Sequence, residues 1–110
     1  MEISGGGAGK IPFETHLNRL ADPAKALLLD LRNFVRALGS NVIEDVRPHR
    51  IVYSKTMNFR IFLDVEPAGE SLILSIRSGR SAPPVTLKVN DQVELQSGMK
   101  QIADAYQKIQ

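Results

Sequence analysis

There is no cysteine among the 110 residues of the chain. That absence excludes disulfide frameworks, thiolate zinc sites, iron–sulfur clusters and cysteine nucleophiles together. No apolar run approaches the ~20 residues that a membrane-spanning helix needs. The stretch before Lys10 has none of the apolar core of a signal peptide, so a cytoplasmic protein with no membrane partner is expected. An excess of one charge is missing as well. Fourteen basic residues against twelve acidic leave a net charge of +2, too little to imply nucleic acid by itself.

What is present is an ordinary globular composition. A hydrophobic fraction of 43% excludes disorder for the body of the chain. The length suits one domain with a core of its own. Residues 1–12 are expected to form a flexible Gly-rich N-terminal segment, and residues 13–110 a single α+β domain.

The apolar spacing supplies the elements. Phe13, Leu17 and Leu20 recur at helical intervals after Pro12. Asp22-Pro23 reads as the start of a longer helix, with the carboxylate capping the first turn and proline at the first helical position. Ala24, Leu27, Leu28, Leu31, Phe34, Val35 and Leu38 line its buried side, and Gly39 is expected to end it in a left-handed conformation. The period then becomes two. Strands are expected over 42–46, 50–54, 58–66, 71–78 and 85–89, with Lys55-Thr56-Met57 as one of the turns between them. Val93 and Leu95 alternate with polar residues, so 92–96 reads as a further strand, with Ser97 capping a final helix of Met99, Ile102, Ala103, Tyr106 and Ile109. The alternative starts that helix at Asp91 and leaves Gly98 inside it at a cost of ~1 kcal/mol. Short turns between strands mean antiparallel pairing. The fold class is therefore a two-layer α+β sandwich: a mainly antiparallel sheet of four to six strands, with N- and C-terminal helices on one face.

Several motifs invite chemistry and fail it. Gly5 to Lys10 resembles a phosphate loop, but Ser4 stands where the first glycine belongs and Ile11 where serine or threonine belongs. His16 reads as a solvated helix residue and His49 as flanking a bend; neither has a partner at metal-ligand spacing. Glu44 and Asp45 are adjacent on a strand and face opposite ways. Asp64 and Glu66 share a face and suit charge balance. No nucleophile, base and orienting group assemble, so no catalytic residue, metal or cofactor is expected and an enzyme is not.

The polar sheet face carries the functional expectation. If Pro67 to Glu70 close the hairpin, Glu66 faces Ser71, Asp64 faces Ile73, Phe62 faces Ser75 and Arg60 faces Arg77. With a three-residue turn at Lys55 to Met57, Arg50 lies opposite Phe62 and Val52 opposite Arg60. Between Arg47 and Lys88 there are seven basic residues and three acidic. Arginines beside an exposed ring suit single-stranded nucleic acid, with charge for phosphate and a ring for stacking. Arg50, Arg60, Phe62, Arg77, Arg80 and Lys88 form this candidate nucleic-acid or anion site. Two alternatives use the same face: a protein-interaction or homodimer contact around Phe62, Ile73 and Val52, and a small anionic ligand held by the paired arginines. Lys25, Leu29, Arg32 and Arg36 are read as the outer face of the long helix.

Ile51-Val52-Tyr53-Ser54-Lys55 followed by Asn58-Phe59, and later Val93-Glu94-Leu95 leading into Ser97, resemble a family of small uncharacterised bacterial and archaeal domains. Some of these are labelled predicted transport proteins, and some occur fused to restriction-type nuclease domains. The resemblance spans roughly residues 14–109. It departs in the loop before Val93, which lacks the family's Gly- and Trp-containing stretch. It implies an α+β fold without an obvious active site, and the nuclease fusions point by association toward nucleic acid.

Overall fold

The computed structural model describes residues 11–55, 60–79 and 81–109. The Gly-rich motif at 5–10, the turn and strand start at 56–59, and Arg80 lie outside them. A short helix, α1, covers Phe13–Asn18 and a longer one, α2, covers Ala24–Arg36. Strands β1 (Val42–Val46), β2 (Ile51–Lys55), β3 (Arg60–Ala68), β4 (Ser71–Ile76) and β5 (Val85–Val89) follow, and helix α3 covers Gln92–Lys108.

The apolar stripe of α2 is buried as its spacing requires: Ala24, Leu27, Leu28, Leu31 and Val35 all face the core. Burying each leucine or valine contributes about 1.5–3 kcal/mol. The ends of α2 differ from expectation. Pro23 itself occupies the cap position, and no side chain hydrogen-bonds the first turn. The helix stops at Arg36, and Gly39 is not left-handed; Gly69 is the positive-φ glycine among the described residues. Gly39 serves space instead. A Cβ there would stand 2.2 Å from the Tyr106 hydroxyl oxygen, which hydrogen-bonds Asn41.

The five strands form an antiparallel sheet in sequence order. Two local features fix its register, and both correct the sequence reading. First, β3 runs on to Ala68, which pairs with Ser71, and Gly69 with Glu70 makes the two-residue turn. Gly69 has φ 71°, the left-handed value that such hairpin turns demand at their first central position. The register therefore moves by two residues. Leu63, Val65 and Pro67 pair with Ile76, Leu74 and Leu72, and Asp64 with Ser75. Alternation puts Ile61, Leu63, Val65, Leu72, Leu74 and Ile76 inward. All but Ile61, which is 37% exposed on the other face, stay there, because the side-chain period is two, but Arg60 no longer meets Arg77. Second, Tyr53 pairs with Leu63 while Ser54 pairs with Ile61. Phe62 is the extra residue of a bulge, and beyond it the two faces of β3 exchange.

The final segment takes the alternative course. Residues 92–96 are the first turn of α3 and not a sixth strand. The Asp91 carboxylate accepts from the Glu94 amide at 2.8 Å, while Glu94 accepts from the Asn90 amide at 2.7 Å. This close variant of the reciprocal capping box satisfies amides that a strand reading leaves unexplained. Gly98 inside the helix has a packing reason: a Cβ there would stand 3.3 Å from Leu74 Cδ1, so glycine lets α3 lie close on the sheet.

Helices α2 and α3 pack on each other and on one face of the sheet. Leu95, Ile102 and Tyr106 from α3 meet Ile51, Leu63, Val65, Leu72 and Leu74 in the core. The result is a two-layer α+β sandwich. Among the described residues no helix is long and apolar enough to cross a membrane.

Candidate functional site

The face of the sheet turned away from α2 and α3 has no helix over it among the described residues. Strand pairing lays its residues out in rows. Asp45, Val52, Asp64, Ser75 and Thr86 form the middle row; Glu66, Ile73 and Lys88 lie toward the turns; Ile43, Ser54 and Ile61 lie toward the other end. Ile61 is 37% exposed, and Ile43 and Ile73 are half-buried.

The charges here are largely spent on one another. Arg50 donates to Asp64 at 2.9 Å and Arg47 to Asp45 at 2.8 Å. Val52 lies between these two aspartates and is only 3% exposed. Among the described residues Asp45, Asp64 and Glu66 balance Arg47, Arg50 and Lys88 on this face.

The candidate nucleic-acid residues are therefore dispersed. Phe62 is fully buried, with its ring 5.2 Å from Tyr106 at an interplanar angle of 72°. That edge-to-face contact belongs to the core and removes the stacking ring. Beyond the bulge Arg60 lies opposite Lys55. Lys55 is on the helix side, 4.3 Å over the Tyr106 ring and donating to the Ile109 carbonyl, so Arg60 leaves the open face too. Arg77 is exposed past the end of β4, and its amide donates to the Phe62 carbonyl. Arg50 is on the open face but ion-paired, and Lys88 is there and exposed. Arg80 lies outside the described residues.

The most developed polar cluster is on the other side of the sheet, and the sequence reading missed it. Arg32 donates to both oxygens of Glu44, at 2.9 and 2.8 Å, and the Tyr53 hydroxyl donates to the same carboxylate at 2.7 Å. The guanidinium stacks 3.9 Å over the Phe13 ring. Arg32 thus leaves the solvated face assigned to it and ties α1 and α2 to β1 and β2. The signal was Glu44 itself, which alternates inward with Val42 and Val46; a carboxylate in that position requires a cation. Burial pushes the Glu44 carboxyl up, but hydrogen bonds from Arg32 and Tyr53 outweigh it and hold the group below its ordinary range. The bond to Glu44 raises the Arg32 guanidinium against the opposing effect of burial. Burial, with the bond to Glu44, pushes the Tyr53 phenol well above the ordinary tyrosine value.

The Tyr53 shift has a measurable consequence. A group raised on folding contributes stability that is complete below its unfolded pKa, about 10 for tyrosine, and lost as pH rises beyond it. In an alkaline titration the phenolate absorbance of one of the two tyrosines should appear only together with loss of the circular-dichroism signal. Complete phenolate formation in a chain that is still folded would contradict this.

A smaller cavity of about 150 Å³ is lined by His16, Arg19, His49 and Glu66, among others. His16 is buried, not solvated, and its Nε2 donates to the Arg47 carbonyl at 2.7 Å; Arg19 donates to the Pro48 carbonyl at 2.9 Å. Both bonds fasten α1 to the β1–β2 turn. Among the described residues no group of three His, Asp or Glu side chains is arranged to hold a metal ion. Comparison with protein-family models, with curated proteins and with solved structures returns no match.

Proposed function

We propose that the chain is a non-catalytic binding domain whose open sheet face contacts another protein. The carrying observation is the make-up of that face: Ile43, Ile61 and Ile73 stand among small hydroxyl side chains and self-neutralised charges, with no helix above them among the described residues. Flat, partly apolar and electrically balanced surfaces suit protein partners. A nucleic-acid site calls instead for uncommitted cations and an exposed ring. Here the ring is buried and Arg50 is committed to Asp64. The family resemblance and its nuclease fusions add only association to the nucleic-acid reading.

Two measurements separate the readings. Affinity capture with the wild-type chain and with Ile73→Asp, read by mass spectrometry, should retain at least one protein that the variant loses. Titration of labelled oligonucleotides at low salt should show no saturable binding. Saturable, salt-sensitive binding that Arg50→Ala weakens would return the face to nucleic acid. Retention of the same proteins by both chains would remove the face as a contact surface.

A further inference from the structure

The strand β5 stands at the end of the strand order. Among the described residues one row of its backbone N–H and C=O groups therefore has no ladder partner, and such a row is a template for another strand. No proline lies within β5; Pro83 and Pro84 stop just short of it. Helix α3 follows β5 and crosses the sheet obliquely. At Gly98 a Cβ would meet Leu74 of β4 and Leu87 of β5. About two turns further on, Tyr106 meets Phe62 of β3 and Lys55 of β2. The helix has thus left β5 before the level of Val85.

Burial along β5 follows that crossing. Val85, Leu87 and Val89 share the helix side, paired with Ile76, Leu74 and Leu72. Val89 is fully buried, Leu87 half-buried, and Val85 is 46% exposed. The corner that α3 vacates is a cleft of about 250 Å³. Ile76, Val85 and Ala105 give it an apolar lining, and Ser78, Lys100 and Asp104 are among its polar groups. The volume falls short of the roughly 300–1,000 Å³ of sites for drug-sized ligands and suits one apolar side chain. Asp104 is matched by Lys108 at 3.1 Å. Lys100 makes no ion pair or hydrogen bond among the described residues, so the unmatched charge of the cleft is positive.

We infer that this edge binds the extended C-terminal end of a partner protein. The segment adds antiparallel to β5, its last side chain is apolar and fills the cleft beside Val85, and its terminal carboxylate meets Lys100. The unpaired backbone row calls for a peptide, because only another main chain matches such a row along its length. The direction follows from the charge. A strand antiparallel to β5 ends at Val85, so it brings its carboxylate to the unmatched cation, whereas a parallel one would bring its N-terminal ammonium there. The depth of the site sets the specificity. Val89 is already covered, so the uncovered end takes one side chain, the last. An internal stretch of a partner would leave Lys100 unmatched. This edge is separate from the open face, and the inference does not depend on what that face binds.

Selection from a random heptapeptide library displayed with free C-termini should enrich sequences ending in leucine, isoleucine, valine, methionine or phenylalanine. The enriched peptide, synthesised as free acid and as C-terminal amide, should bind the wild-type chain at least about tenfold more tightly as the acid, the worth of a hydrogen bond between charged groups. Lys100→Ala, at an exposed position, should remove that difference, and Val85→Glu should abolish binding. Amide exchange in the wild type gives a readout independent of any variant's folding: β5 amides should exchange more slowly with the peptide bound. No enrichment of apolar last residues, equal binding of acid and amide, an acid preference that survives Lys100→Ala, or unchanged exchange in β5 overturns the inference. So does 4-methylpentanoate binding as tightly as the peptide, which would make the cleft a small-molecule site. Peptide binding lost in Ile73→Asp and untouched in Val85→Glu overturns it too, and leaves the open-face reading standing.

Discussion

Phe62→Ala should cost about 3–5 kcal/mol of stability, the range for deleting a large aromatic side chain from a packed core. The ring has no exposure and meets Tyr106 edge-to-face at 5.2 Å. Tyr106 cannot follow it into the space, because its hydroxyl is held by Asn41 against Gly39. For a domain of this size each kcal/mol is worth about 4–8 °C in Tm, so the midpoint should fall by more than about 12 °C. Phe62→Leu, which keeps most of the volume, should cost much less. Urea unfolding of the three chains decides the matter. A loss below about 1 kcal/mol for Phe62→Ala would place the ring outside the core and restore it as a stacking candidate on the open face.

The difference between the two roles of Phe62 comes down to one extra residue in β3. Alternation correctly sorted Leu63, Val65, Leu72, Leu74 and Ile76 inward, because a two-residue shift in register leaves each side chain on its face. It did not yield the cross-strand partners, which depend on where the chain turns. Pro67 and Ala68 looked like turn residues, yet the turn falls at Gly69, where a positive φ is needed. The bulge is fainter still. Its one trace is the unbroken apolar run Ile61-Phe62-Leu63 in an otherwise alternating strand, where a strict period of two must put Phe62 outside. Past that point the face of Arg60 reverses, and with it the arginine cluster on which the nucleic-acid reading stood.

The C-terminal region shows the opposite case, a signal present and underweighted. Asp91-Gln92-Val93-Glu94 carries the spacing of a capping box, and Val93, 79% exposed, is not an inward strand residue. The alternation of Val93 with Leu95 is also what a helix shows when only Leu95 faces the core. Gly98 argued against a helix on propensity alone. The contact with Leu74 explains its presence, because tertiary packing outweighs a cost of ~1 kcal/mol. The core and layer order were thus open to sequence reasoning. The Arg32–Glu44–Tyr53 cluster was not, since nothing in a linear chain says which helix supplies the cation for an inward carboxylate.

That cluster sets the second large expectation. Arg32→Ala should destabilise the fold by about 2–4 kcal/mol, because it leaves the half-buried Glu44 beside a phenol with only Arg36 as a counter-charge, a loss at or below the lower end of the range for broken buried pairs. The pH dependence identifies the cause. The Glu44 carboxyl is held below its ordinary value in the folded chain, so its contribution is complete above the unfolded value of about 4.3 and is lost as pH falls through the folded one. Without Arg32 the burial effect is opposed only by the Tyr53 hydrogen bond and the charge of Arg36, so protonating Glu44 becomes easier. The penalty of Arg32→Ala, measured by urea unfolding, should therefore shrink between about pH 7 and pH 3. Glu44→Gln should shrink it as well by removing the charge that needs a partner, and the double variant should lose less than the sum of the two single losses by about 1 kcal/mol or more. Additive losses with no change across that pH range would mean that Arg32 acts only through its stacking on Phe13, and that Glu44 is neutralised by other means.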